Sequence, residues 1–304
     1  MPQSPSVPVA ARNAILAWYA ANGRRLAFRR TTDPYAILVS EAMSQQTQAA
    51  RAADHWERFM ARFPTIESLA AATPADVLRQ WQGLGYNRRA LALWRAARVI
   101  RDVHGARVPE SIEALEALPG VGPYTARAVA AIAFNRPVGA VDVNVRRVLG
   151  RIVGGSQVAF TAVEMQGLAD ATIPEGRAAA WTHALMDLGA TVCRPPNPRC
   201  GVCPARAWCR FAASSPAAIR PSSPARAKTT GRAVPFSQTS RWLRGRILDR
   251  LRAAADTDWV LIRPPIGSHD ADRVRTAVQA MAADGVLELD GGADVGPIRA
   301  RLPV

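Results

Sequence analysis

Lysine is almost missing from this chain of 304 residues. Of its 39 basic side chains one, Lys228, is a lysine and the rest are arginines. A guanidinium stays protonated and is a poor nucleophile, whereas a desolvated lysine can form a Schiff base. Long apolar runs are also absent. The longest clean one, Ala128–Phe134, falls far short of the ~20 residues a membrane span needs. The first residues, MPQSPSVPVAAR, carry neither a charged n-region nor an apolar h-region. The expectation is a cytoplasmic protein with no membrane association. No internal repeat is evident, and alternating β-branched runs are nearly absent up to Phe211.

Positive charge, by contrast, is abundant. The formal net charge is +15 and the isoelectric point lies near 11.2, a balance suited to a polyanion such as nucleic acid. The bland alternative is a solvated arginine-rich surface. Up to about Phe211 the 3.6-residue period recurs, as in Ala75–Trp81 and Arg89–Val99, so this part reads as all-α. Residues 212–240 are rich in Ala, Ser and Pro, carry four basic residues and no acidic one, and read as a linker. From 241 a new unit begins. Two amphipathic helices, RWLRGRILDRLRAAA and DRVRTAVQAMAADG, precede two short strands, VLEL and IRARL, and suggest a winged-helix-like module. Residues 241–304 hold ten basic and nine acidic residues, so the excess charge sits in the first 240.

The four cysteines, Cys193, Cys200, Cys203 and Cys209, share one short segment with spacing C-x6-C-x2-C-x5-C. Four thiolates on one loop can close around a single metal centre. Disulfides fit poorly in a cytosolic chain with every cysteine in one cluster. Structural zinc also uses C-x2-C pairs. The unequal x6 and x5 arms favour a [4Fe–4S] cluster over matched zinc knuckles. Arg194, Arg199, Arg206 and Arg210 stand beside it, suited to phosphates.

Residues 114–134 read ALEALPGVGPYTARAVAAIAF. A helix ends at Leu118, the turn Pro119-Gly120-Val121-Gly122 follows, and a second helix starts near Tyr124. Glycines let the backbone come close to a ligand, and the amides at the second helix N-terminus suit a phosphate. An L-P-G-V-G turn between two helical patterns points to DNA-backbone binding through Gly120, Val121 and Gly122.

This hairpin, then VDVNVRRV (Val141–Val148), then the cysteine loop, resembles the endonuclease III superfamily, and within it the MutY-type adenine DNA glycosylases. DPYAILVSEAMSQQTQAA, LGYNRRA and ALMDLGATVC carry the same resemblance, which covers roughly residues 14–211. It implies an all-α glycosylase of two subdomains with DNA between them. Residues 30–136 would form a six-helix barrel with the helix-hairpin-helix. Residues 1–29 and 137–211 would hold a [4Fe–4S] cluster. The partner implied is double-stranded DNA with a mismatched or damaged base pair, bound by a monomer.

Breaking an N-glycosidic bond calls for a proton on the leaving base and stabilisation of an oxocarbenium-like sugar, a task two carboxylates can divide. Glu41 follows Asp33-Pro34, a helix cap and N1 pair, and lies among Ile37, Leu38, Val39 and Met43. A lone glutamate there is ordinarily a surface or ion-paired residue. By resemblance it is the catalytic acid, and relatives that remove pyrimidines lack it. Asp142, flanked by Ala140, Val141 and Val143, is ordinarily a helix cap. By resemblance it is the aspartate that shields or attacks C1′, with Asn144 and Tyr124 hydrogen-bonding the carboxylates. Bifunctional relatives carry a Schiff-base lysine where this chain has Tyr124, so the resemblance implies hydrolysis without strand cleavage.

The same resemblance assigns Gln45, Gln46 and Tyr86 to duplex intrusion or the opposite base. Tyr86 beside a Gly-x-Gly turn could equally be packing. Arg88 and Arg89 suit phosphates. Three positions depart from the family pattern. Phe28 stands after Ala27 where Pro-Trp is usual, leaving Phe28 to stack and Arg29 to contact the base. His183 replaces Gln or Glu in the base pocket, and Ser44 replaces a leucine. Residues 241–304 are also too short and helical for the Nudix-like domain many members carry, which implies a preference for 8-oxoguanine that is either weaker or achieved differently, for example through Gln46. The rival readings are a glycosylase of the same fold for hypoxanthine, or for thymine or uracil opposite G, and a non-catalytic DNA-binding iron–sulfur protein.

Overall fold

Helix start signals in the sequence appear in the backbone as real caps. The computed structural model describes residues 6–214, 234–255, 258–291 and 297–304. Asp33 accepts from the Tyr35 amide and opens α2, Pro34–Ser44. Thr65 and Ser68 form a capping box at α4, Ile66–Ala71, and Thr73 caps α5, Pro74–Gln80. Between α2 and α4 runs α3, Ala49–Arg62. Upstream of them lies α1, Val9–Asn22. Downstream follow α6, Arg88–Val103, and α7, Ile112–Glu116. Then come α8, Pro123–Ala133; α9, Val143–Leu149; α10, Ala162–Ala171; α11, Ala178–Asp187; and the short α12, Arg210–Ala213.

By contacts the chain divides into two compact units. One gathers Met1–Glu41, Pro109–Ala117 and Val121–Ala227; the other gathers Ala42–Val108, Leu118–Gly120 and Lys228–Val304. The cuts fall elsewhere than at residues 30 and 137, because α8 packs on α11. In the first unit α1 also packs on α11, and α9 lies against both α11 and the π-helical turn Leu188–Val192 that continues it. Ile15, Val148, Leu149, Trp181, Leu185 and Leu188 form the core. Each such side chain contributes about 1.5–3 kcal/mol on leaving water.

In the second unit α4 lies along α6, and Phe59, Phe63 and Trp81 meet edge to face with centroids 5.0 and 6.0 Å apart. The C-terminal residues belong to the same unit. They form α13, Ser240–Arg252; β1, Val260–Ile262; α14, Ala271–Ala283; β2, Glu288–Leu289; and β3, Ile298–Arg301. Gly285, with φ +69°, ends α14 in the left-handed conformation its sequence position suggested. The sheet is antiparallel in the order β1-β3-β2. Strand β1 is one more than the sequence reading gave: its three residues are too few for a visible alternation, and β3 fixes it by pairing. Helix α13 packs on α14 and α5. Arg79 Nη2 donates to Ala254 O at 2.8 Å, and Arg252 Nε returns a bond to Leu78 O at 3.1 Å. Most of the expected linker 212–240, including Lys228, lies outside the described residues. Its last part, Phe236–Gln238, is a 3₁₀ turn leading into α13.

Candidate active site

The first unit brings together Glu41, Tyr124, Asp142, Asn144, Arg29 and His183. Glu41 sits near the end of α2, behind the buried Ile37, Leu38 and Val39 and before the buried Met43. It keeps some solvent-accessible surface, yet protein surrounds its carboxyl closely. Burial pushes its pKa up to about 7. A hydrogen bond from the Tyr124 hydroxyl opposes that rise, the charge of Asp142 adds to it, and Arg29 opposes it again. Tyr124 is the second residue of α8, held at the site by Pro123 in the first turn. Burial and the two carboxylates drive its own pKa far up, so it stays a hydrogen-bond donor.

Asp142 is both a cap and a site residue. Its Oδ1 accepts from the amides of Asn144 at 2.8 Å and Val145 at 2.7 Å. Its Oδ2 accepts from Asn144 Nδ2 at 2.7 Å. The other end of the Asn144 amide, Oδ1, accepts from Arg147 Nη2 at 2.7 Å. Arg147 also donates to Gly189 O at 2.8 Å and to Cys193 O at 2.6 Å. This closeness requires Gly189: a Cβ there would stand 2.5 Å from Asn144 Cβ.

Arg29 lies on the 3₁₀ turn Ala27–Arg30. Its guanidinium forks onto Asp187, Nη1 to Oδ2 at 2.6 Å and Nη2 to Oδ1 at 2.8 Å, while its buried Nε has no partner. Arg24 grips the same carboxylate at 2.6 Å. Asp187 is fully buried; burial would raise its pKa, but the hydrogen bond and charge of Arg29, then Arg24, hold it below the usual range. The sequence reading passed over Asp187, though an acid inside the apolar ALMDLGATV was a visible signal. One turn earlier on α11, His183 has its pKa pushed down to about 3, first by burial and then by Arg29. It is therefore a neutral imidazole, able to donate at one nitrogen and accept at the other. Phe28 precedes Arg29 on the same 3₁₀ turn and is half-buried.

All four cysteines line one cavity, walled by Val148, Ile152, Leu188 and Val192. Burial pushes the Cys203 thiol up to about 11 and raises Cys209 as well, and the neighbouring cysteines raise these two further. Arg151 Nη1 lies 3.4 Å from Cys193 Sγ. Among the described residues no group of three or more His, Cys, Asp or Glu is placed to hold a single metal ion.

The remaining expected residues lie in the second unit or on the hairpin. Gly120 has φ +78°, and a Cβ on it would meet Ala92 Cβ at 2.6 Å. Val121 is buried, and Gly122 is exposed and caps α8. Gln46 and Tyr86 both adopt positive φ, +54° and +47°, unusual for side chains of their size. Tyr86 is 50% exposed. Gln45 lies beside Gln46 and is half-buried. Arg88 is exposed and pairs with Asp284 at 3.4 Å. Arg89 is not free for phosphates as expected. Its Nη1 donates to the carbonyls of Ala42, Met43 and Gln45 at 2.9, 3.1 and 2.5 Å, so it fixes the turn carrying the glutamines.

Comparison with known proteins places this geometry. Residues 39–165 match the model of the HhH-GPD superfamily base excision DNA repair proteins. An adenine DNA glycosylase of Mycobacterium tuberculosis (strain CDC 1551 / Oshkosh) is 46% identical over 246 residues, 79% of this chain and 78% of that one. One from Mycolicibacterium smegmatis is 39% identical over 286 residues, covering 90% and 91%. A solved thermostable thymine-DNA glycosylase matches with TM-score 0.63 and 30% identity, covering 67% of this chain and 95% of that one. The chain therefore belongs to the HhH-GPD superfamily and, within it, to the adenine DNA glycosylase family.

Proposed function

We propose that this chain is a monofunctional DNA glycosylase of base excision repair that hydrolyses the N-glycosidic bond of adenine opposite 8-oxoguanine or guanine. The carrying observation is Glu41, whose carboxyl burial keeps half-protonated near pH 7, beside the anionic partner Asp142. Glu41 gives its proton to a ring nitrogen of the leaving purine. Asp142, oriented by Asn144, faces the positive charge growing on the sugar. Water adds its hydroxyl to C1′ and its proton returns to the Glu41 carboxylate. Tyr124 stands where a Schiff-base lysine would be needed and offers only a hydroxyl, so the sugar is left as an abasic site. Neutral His183 and Arg29, held by the buried Asp187, supply polar groups for the purine edge.

Cys193, Cys200, Cys203 and Cys209 would hold a [4Fe–4S] cluster. The single apolar cavity that all four cysteines line, with the x6-x2-x5 spacing, supports it. When bound, the group would supply a cross-link for the loop and countercharge for four half-buried thiolates. The high positive charge supports a double-stranded DNA partner, bound by a monomer in the cytoplasm at the nucleoid.

The test is a panel of duplexes with each base opposite each, treated with alkali after incubation. Scission at adenine in the 8-oxoguanine and guanine pairs is the expected result. No product from any adenine-containing pair sinks the reading.

A further inference from the structure

The second unit contains a wide cleft, about 960 Å³, whose walls come from two distant stretches of chain. Helix α13 and Asp284 form one side; the Gln45-Gln46 turn, Arg51 and the segment from Gln82 to Arg89 form the other. Seven of the lining residues are arginines and two are carboxylates. The two carboxylates are already taken. Asp284 pairs with Arg244 and Arg88, and Asp249 with Arg246 and Arg252. Arg89 is used on backbone carbonyls. That leaves Arg51 and Arg241, neither of which forms an ion pair among the described residues.

These two guanidiniums converge on one turn from different helices. A Cβ on Gly83 would lie 3.7 Å from Arg51 Nη2, and a Cβ on Gly85 would lie 3.4 Å from Arg241 Nη2. Both glycines have positive φ, +94° and +70°. His55 lies closer still, its Nε2 2.8 Å from the Gly83 Cβ position and 3.0 Å from Gln82 O, so the turn is backbone held by His55 beneath two guanidiniums that form no ion pair among the described residues. The guanidiniums of Arg241 and Arg89 lie over the ring of the next residue, Tyr86, at 5.1 and 5.6 Å from its centroid. Trp242 and Phe236 add apolar faces to the same cleft. Unpaired guanidiniums beside exposed aromatic rings are what a nucleic-acid backbone and its bases require.

We propose that this cleft is a DNA-backbone seat, in which Arg241 of the C-terminal module and Arg51 of α3 each take a phosphate. The module at 241–304 thus contributes binding although its overall charge is nearly neutral, because Arg241, which forms no ion pair among the described residues, is placed at the Tyr86 turn. The proposal rests on the DNA-glycosylase reading above.

The experiment measures affinity of the full chain for a duplex with an uncleavable analogue at the target position, across a salt series. Each lost phosphate contact lowers the salt slope by about 0.9. Arg241→Ala and Arg51→Ala are expected to weaken binding at low salt about tenfold each, and Arg241→Lys to recover most of the loss. Unchanged slopes in both alanine variants, with wild-type chain that releases adenine, overturn this proposal alone. Weaker binding in Arg241→Ala with an unchanged slope also overturns it, since it points to a packing role for Arg241. A wild-type chain that releases no adenine instead sinks the functional reading.

Discussion

Arg147 holds Asn144 by its side-chain oxygen, Nη2 to Oδ1 at 2.7 Å, and so fixes which end of the amide faces Asp142. With its oxygen committed to Arg147, the amide must present its NH₂ to the carboxylate. The same guanidinium grips the carbonyl of Cys193, so one side chain orients the site carboxylate and ties down the cysteine loop.

Removing Arg147 should therefore loosen Asp142 without removing any proposed catalytic group. A small misplacement of a reacting group costs about 10²-fold in rate. Arg147→Ala is expected to slow single-turnover adenine release by about 10- to 100-fold while DNA affinity changes little. Single-turnover kinetics and a binding titration check this together.

The pH profile follows from Glu41. Its acid form is the active one and its pKa is raised to about 7, so the rate should fall as pH rises through that value. The Tyr124 hydrogen bond favours the ionised form. Tyr124→Phe removes it, and the alkaline limb should move to higher pH. A limb that moves down, or stays fixed, contradicts the assigned hydrogen bond.

The parts of the site that were legible in the sequence are those set by local spacing. Asp142 is a helix cap by its position, the cysteine loop is contiguous, and the L-P-G-V-G turn lies between two helical periods. Asp187 stands out in the sequence only as an acid in an apolar stretch, and Arg147 not at all, because their roles depend on partners brought together only by folding. Asp187 meets Arg24 across 163 residues. Arg89 shows the converse error: an arginine beside an exposed tyrosine reads as a phosphate ligand, yet the fold turns it inward to backbone oxygens. Strand β1 was missed because three residues carry too little pattern, and its pairing with β3 is a tertiary fact.

The cysteine cavity gives a compositional prediction. Protein isolated without chelators should carry about four irons and four acid-labile sulfides per chain. Cys203→Ser should lose the iron and lower the melting temperature, because the remaining cysteines lose the centre that would join them. Stoichiometric zinc in place of iron would overturn the cluster assignment.

No covalent intermediate with a lysine is expected. Borohydride added during turnover should trap no enzyme–DNA adduct, and strands should stay intact until alkali is added. A trapped adduct would show a lysine mechanism and contradict the role given to Tyr124.

Glu41→Gln tests the central claim most directly, with single-turnover adenine release and DNA affinity measured on the same preparation. A general acid is worth about 10²–10⁴-fold. The account predicts a rate loss at least that large with affinity retained. It also predicts a higher melting temperature than wild type at pH 8, since a buried carboxylate no longer has to ionise. A variant that still releases adenine at a rate near wild type would show that Glu41 is not the acid.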